Sequence, residues 1–185
     1  VLEDRSYIFD LNSYSIPKDY LYHHSIATGL ISAVLAQKLG FNKGNCIQMA
    51  LAGTLADCGM SKVSSKIREK KEALTSIEFA EIRKHPIHSY SMIKDFPVLK
   101  KEMKEAVFKH HERLDGSGYP TGTKIPSTLD YSQIIAVADV YHAMTCERLY
   151  RTKQSPFIVS EMIKESEFGK FDIKVLQALI DLIVE

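Results

Sequence analysis

The apolar residues of this chain recur at helical spacing. From Tyr20 to Leu39, leucine, isoleucine and valine fall mostly three to five positions apart, as on one face of an amphipathic helix. The run from Ile47 to Leu55 is apolar nearly all round and predicts a buried central helix. No stretch sustains the alternation of a β-strand. The pattern predicts an all-α fold, with one domain over residues 20–185 and an N-terminal extension or linker at residues 1–19.

Proline and capping residues divide the rest of the chain. Thr75 and Glu78 form a capping box that opens a helix running to about Ile93, and Pro86 kinks or splits that helix. Residues 61–74, rich in lysine and serine, predict a surface connection. Further helices are expected near residues 98–111, 131–144, 156–167 and 172–185, about seven in all. Residues 112–128 form a long irregular stretch rich in glycine and proline, and such loops are often functional.

Charge, apolar content and cysteine spacing indicate which partners and which cellular location to expect. The chain carries 24 Lys+Arg and 23 Asp+Glu, a net charge of +1, which does not suit a polyanion-binding surface. We therefore expect no DNA or RNA partner. No apolar run reaches the ~18–20 residues of a membrane span, and the first residues do not resemble a secretory signal. The three cysteines have no metal-type or redox-type spacing, which favours free thiols and a cytoplasmic location.

Histidine and aspartate stand out among the polar residues. His110 and His111 are consecutive beside the irregular stretch, although a histidine pair by itself is more simply interpreted as surface residues. Asp57 follows the predicted buried helix, and Asp139 lies within the apolar sequence IIAVADVYHAM. An unpaired carboxylate in such surroundings is unfavourable, and a bound metal ion is an effective counter-charge. These residue types favour a metal site that assists phosphoester hydrolysis.

The run from His110 to Pro120, HHERLDGSGYP, resembles the signature of the HD-GYP family. His24, Asp57 and His85 precede it in the family's order, and IIAVADV followed by ERLYR comes after it. The resemblance implies an HD-superfamily helical bundle with a long Gly-Tyr-Pro loop. It also implies a role in bacterial signalling, as a metal-dependent phosphodiesterase of cyclic di-GMP or a related cyclic dinucleotide.

The same resemblance implies two adjacent metal positions that share Asp57, which would be the catalytic centre. The ligands of the first position would be His24, Asp57 and Asp139, and those of the second would be Asp57, His85, His110 and His111. The metal would be Fe, Mn, Zn, Ni or Co, since histidine and carboxylate ligands accept all of these.

The resemblance also implies substrate contacts in two segments, the loop after His111 and the stretch after Asp139. The loop would form a wall of the substrate groove through Arg113, Asp115, Gly118, Tyr119 and Pro120. Farther along, Arg148 or Arg151 would contact a substrate phosphate, because a guanidinium group matches phosphate geometry.

Two positions depart from the family pattern. Ala56 stands where the histidine of the His-Asp pair is expected, and Met60 stands where the family usually has lysine. The first metal position thereby loses a nitrogen ligand, so we expect one bound metal rather than two. His23 and His142 are alternative nitrogen donors, but a surface histidine and a hydrogen-bonded core histidine are the interpretations we favour.

Two functions stay open on this sequence. An enzyme with a weakened metal centre would hydrolyse the cyclic dinucleotide, whereas a regulatory module would bind the nucleotide or a protein partner without turnover. A flanking sensory domain or a homodimer is compatible with either function. The apolar residues at 175–183 would serve a dimer, although we favour their packing within the domain.

Overall fold

A computed structural model describes residues 20–125, 130–146, 155–166 and 169–184. All regular elements within these ranges are helical, which confirms the all-α prediction. In chain order they are α1 (Tyr20–Lys38), α2 (Lys43–Leu55), a 3-10 helix (Cys58–Lys62), α3 (Ser65–Arg68), α4 (Ser76–Ile82), α5 (His85–Ile93), α6 (Lys101–Lys109), α7 (Tyr131–Thr145), α8 (Pro156–Ser166) and α9 (Ile173–Val184). None of the described helices combines the length and apolar character that crossing a membrane requires. The predicted extension at residues 1–19 lies outside the described residues and stays a prediction.

The centre of the bundle is α7, which packs against α1, α2, α6, α8 and α9. Its residues from Ile134 to Ala138 are fully buried, as expected for a helix that is apolar all round. The prediction placed α2 at the centre instead. In the structure α2 buries Met49 and Ala52, while Ile47 is 49% exposed. The difference arises because α2 packs mainly along α1, which leaves its far side toward solvent.

Pro86 splits the helix predicted from Thr75 to Ile93. The capping box is present, because Thr75 Oγ1 accepts from the Glu78 amide and Glu78 accepts from the Thr75 amide. α4 then ends at Ile82, and Pro86 lies in the first turn of α5, where its missing N–H breaks no helical hydrogen bond. The 3-10 helix and α3 were not predicted, since the short lysine- and serine-rich segment there has no apolar period.

One side of α9 packs within the chain. Val175, Leu176 and Leu179 are buried against the core, as expected for packing within the domain, and a homodimer stays a prediction. Asp172 caps this helix, because its Oδ1 accepts from the amides of Lys174 and Val175.

Candidate metal centre

Asp57, at the start of the 3-10 helix, faces histidines from three other parts of the chain. Its Oδ2 lies 3.4 Å from Nε2 of His24. Its Oδ1 lies 3.0 Å from Nε2 of His85 and 3.6 Å from Nε2 of His110. The side chain of Asp57 is only 16% exposed. One carboxylate therefore joins two sets of imidazole groups.

The turn that carries Asp57 is held against α5. Ser89 Oγ donates to the carbonyl of Ala56 at 2.6 Å and accepts from the amide of Gly59 at 2.8 Å. A Cβ at position 59 would collide with the carbonyl oxygen of His85 and with Ser89, so the close approach requires glycine there. The sequence analysis missed Ser89, because nothing local connects it with a turn 30 residues earlier.

Two groups of possible ligands meet at Asp57, and within each group the donor atoms lie within 4.8 Å of one another. The three-histidine group consists of Asp57, His85, His110 and His111, and the His24 group consists of His24, Asp57 and Asp139. The structure thus brings together all six residues that the resemblance implied. Imidazole nitrogens and carboxylate oxygens at these separations fit a transition metal. Both groups fit, the three-histidine group with one more ligand than the other.

Backbone carbonyls orient two of the histidines. Nδ1 of His85 lies 2.7 Å from the carbonyl oxygen of Ile82, and Nδ1 of His110 lies 2.6 Å from that of Val107. A carbonyl oxygen only accepts, so each Nδ1 carries a proton and donates it. Each Nε2 is thereby turned toward Asp57, in the arrangement typical of metal-ligating histidines.

The two carboxylates are held in their ionised form. Burial alone raises the pKa of Asp57, but hydrogen bonds with His110 and His85 and the charges of His85 and His24 outweigh it and hold the pKa well below its usual range. Burial also raises the pKa of Asp139, and the hydrogen bond with His24 and its charge bring it below the ordinary value. Ionised carboxylates are the form that binds a metal.

Tyr119 covers the third histidine of the three-histidine group. Its ring stacks on His111 with centroids 4.6 Å apart and planes inclined by 21°, and its amide donates to the carbonyl of His111 at 3.1 Å. Burial and the charge of His110 hold the pKa of His111 well below its usual range. His111 is therefore neutral at physiological pH, as a metal ligand must be.

Glu112 holds the loop that carries Tyr119 in place through hydrogen bonds. Glu112 is fully buried, and its Oε1 accepts from the amide and the hydroxyl of Thr121, both at 2.6 Å. Its Oε2 accepts from the amide of Gly122 at 3.1 Å. At Gly118 a Cβ would collide with the backbone of His111 and Glu112. The sequence analysis assigned Glu112 no role, although it directly follows the histidine pair.

The predicted substrate contacts have different surroundings. The Arg113 guanidinium lies over the ring of Phe171 at 4.5 Å and donates to the carbonyl of Glu112. Asp115 is exposed and accepts from the amide and hydroxyl of Ser117. Both side chains stabilise the loop, and their substrate contact stays a prediction. Tyr119 contacts the candidate ligand His111 and is joined to Pro120 by a cis peptide bond. The remaining two predicted contacts, Arg148 and Arg151, lie outside the described residues.

The alternative nitrogen donors are members of neither group. Nδ1 of the fully buried His142 lies 2.8 Å from Nδ1 of His24, on the side away from Asp139. His142 is thus a hydrogen-bonded core histidine, as we favoured. His23 is half-buried. Ala56, 2% exposed, packs in the apolar core and offers no donor in place of the expected histidine.

Comparison with known proteins decides the family. The family model for the HD domain matches residues 15–175 of the chain. The chain belongs to the HD domain family. This HD domain is 33% identical over 174 residues to the cyclic di-GMP phosphodiesterase PdeB of Borreliella burgdorferi. The aligned region covers 92% of this chain and 45% of that protein. It is 31% identical to the 3'3'-cGAMP-specific phosphodiesterase 1 of Vibrio cholerae, over 87% of this chain and 37% of the other.

A solved structure shares the fold of this HD domain. Bd1817, an HDG"Y"P protein from Bdellovibrio bacteriovorus, superposes with a TM-score of 0.72 at 18% identity, over 100% of this chain and 65% of that one, which shows a shared fold. The predicted HD-GYP membership is confirmed. The chain spans less than half the length of the curated relatives named above.

Proposed function

We propose that this HD domain hydrolyses a phosphodiester bond of a cyclic dinucleotide, cyclic di-GMP or a related molecule, in a metal-dependent reaction. The observation that carries the proposal is the three-histidine group joined through Asp57 to the His24 group. Similarity to phosphodiesterases of cyclic di-GMP and 3'3'-cGAMP supports the substrate class.

Each side chain of the site has its own role in the proposed hydrolysis. Divalent metal ions held by these groups would polarise the phosphate and supply an activated water. Asp57, ionised, holds the two groups together. His85 and His110 direct Nε2 inward, because their Nδ1 protons are engaged by backbone carbonyls. Tyr119 covers one face of the His111 ring and so limits the positions that this imidazole can take.

A second candidate is nucleotide binding without turnover. Ala56 supports it, because its methyl group lies in the apolar core and leaves the His24 group with three ligands. Met60 supports it too, since a thioether offers no positive charge near a substrate phosphate. A nucleotide whose phosphate binds only a metal ion held by the three-histidine group would then be bound but not cleaved.

Incubation with Mn²⁺ or Fe²⁺ and either cyclic dinucleotide, followed by chromatography, separates the candidates. Hydrolysis predicts a linear dinucleotide as product, lost in His110→Gln and retained in His88→Gln, a matched change of a half-buried histidine in neither group. Intact nucleotide that binds measurably supports the second candidate. A wild-type protein that neither binds nor cleaves either nucleotide contradicts both.

Metal analysis provides an independent measurement. Protein purified without chelator is expected to hold about one firmly bound transition metal per chain, since four ligands bind more tightly than three. His110→Gln should lose that metal, with thermal unfolding recorded to show that the variant is folded.

A further inference from the structure

Arg83 lies beside the loop that covers the candidate metal centre. It follows α4, and its guanidinium carbon Cζ lies 4.8 Å from the ring centre of Phe79 and 5.2 Å from that of Tyr119. The side chain is exposed, so its N–H groups remain accessible beyond the two rings. Contacts of this kind hold a guanidinium in one place while leaving its donors available.

The ring of Tyr119 separates Arg83 from the metal ligands. Tyr119 stacks on His111, a member of the three-histidine group, and also contacts the guanidinium of Arg83. Arg83 therefore lies one aromatic ring away from the ligands. Its neighbour Lys84 is engaged differently, in an ion pair with Glu81.

We infer that Arg83 binds the second phosphate of a cyclic dinucleotide, the phosphate that is not cleaved. The inference rests on the proposed function. A cyclic dinucleotide has two phosphodiester groups, and only one of them can occupy the metal centre at a time. The other needs a cation at a distance from the metal ligands, and a guanidinium can bind two phosphate oxygens at once. Because Phe79 and Tyr119 restrict Arg83 beforehand, little side-chain freedom is lost on binding.

Calorimetric titration of the Mn²⁺-loaded protein tests this assignment, with a hydrolysis-resistant phosphorothioate analogue of cyclic di-GMP or 3'3'-cGAMP as one ligand and GMP as the other. Chromatography of the mixture verifies that the nucleotide stays intact during the titration. Arg83→Met is expected to lower the affinity for the cyclic dinucleotide about tenfold or more, and Arg83→Lys by less. Affinity for GMP, whose single phosphate goes to the metal centre, should change by less than about twofold, as should both affinities in the control Lys84→Met.

Each other outcome overturns the inference. An equal loss of GMP and dinucleotide affinity in Arg83→Met would mean that Arg83 acts through Tyr119 on the metal centre. Unchanged affinity for the dinucleotide would remove Arg83 from the binding site and leave the proposed function standing. A wild-type protein that binds no cyclic dinucleotide would overturn the proposed function and this inference together.

Discussion

Nδ1 of His24 lies 2.8 Å from Nδ1 of His142, in the buried contact between α1 and α7. The opposite nitrogen of His24, Nε2, lies 2.7 Å from Asp139 Oδ1. His142 lies on α7 one helical turn after Asp139. It thus contacts His24 on the side opposite Asp139. With Nε2 as the ligating atom, Nδ1 of His24 carries a proton and donates it to His142. Loss of such a partner behind a metal-ligating histidine commonly lowers metal affinity 10- to 100-fold.

His142→Phe is accordingly expected to weaken metal binding by the His24 group about tenfold. Phenylalanine fills a similar volume but cannot accept the His24 proton. His142→Asp should retain the affinity, because a carboxylate accepts from Nδ1. Competition with a chelator of known affinity measures the effect, and His23→Phe is the matched control. Wild-type affinity in His142→Phe would mean that the Tyr20 hydroxyl, 3.2 Å from the same nitrogen, orients His24 by itself.

Glu112→Gln is expected to loosen the loop at Thr121 and Gly122. The glutamine NH₂ cannot accept, so the 3.1 Å hydrogen bond from the Gly122 amide would be lost and only its longer 3.3 Å contact with the other oxygen would remain, at a cost of about 1 kcal/mol. Hydrogen exchange at the amides of Thr121 and Gly122 should accelerate while α7 keeps its protection. The control Asp95→Asn changes an exposed acid outside this loop. Unchanged exchange in Glu112→Gln would show that the loop is held by other contacts.

Ala56→His with Met60→Lys is expected to raise metal content from about one to about two per chain. The added imidazole would give the His24 group a fourth ligand, and the lysine would add a positive charge near the substrate. Elemental analysis measures the metal, and product chromatography measures turnover. Because Ala56 is buried in the apolar core, Ala56→Phe, which adds a ring without a metal-ligating atom, provides a control for overpacking, with thermal unfolding as the readout. Uptake of two metals without any gain in turnover would place the catalytic deficit elsewhere.

Glu78 gives a pH dependence that can be assigned to one side chain. Hydrogen bonds from Lys70 and from the Thr75 amide lower its pKa from 4.5 to about 2. A carboxyl group whose pKa is lower in the folded state stabilises the folded protein fully at pH values above its unfolded-state pKa. That stabilisation is lost as the pH falls toward its folded-state pKa. The melting temperature of the wild type should therefore exceed that of Glu78→Gln at neutral pH, and the difference should shrink between pH 4.5 and about 2.

The matched control for this prediction is Glu81→Gln, which changes a partly exposed acid on the same helix. Its melting temperature should follow that of the wild type closely over the same pH range, because surface ion pairs contribute little. A constant difference between Glu78→Gln and the wild type across this range would contradict the assignment.

Particular residues show how far the sequence could be interpreted. The helix beginning at Ser76 was predictable because a capping box is a local pattern of two residues three positions apart. The six candidate ligands were identifiable in the sequence because they lie in a recognisable motif order. The burial of α2 was overestimated, since periodicity reports which residues are apolar and not which neighbouring helix covers them.

The sequence by itself determined the longer helices, the six candidate ligands and the absence of histidine at position 56. These follow from short-range patterns and from residue identity. Only the tertiary structure decided that Ser89 holds the Asp57 turn, that Glu112 pins the Tyr119 loop and that Arg83 lies beyond Tyr119. Each of these contacts joins segments far apart in the chain or depends on the path of a loop. Such contacts form when α1, α5, α6 and α7 bury their apolar faces together, because that packing sets the distances between the polar side chains.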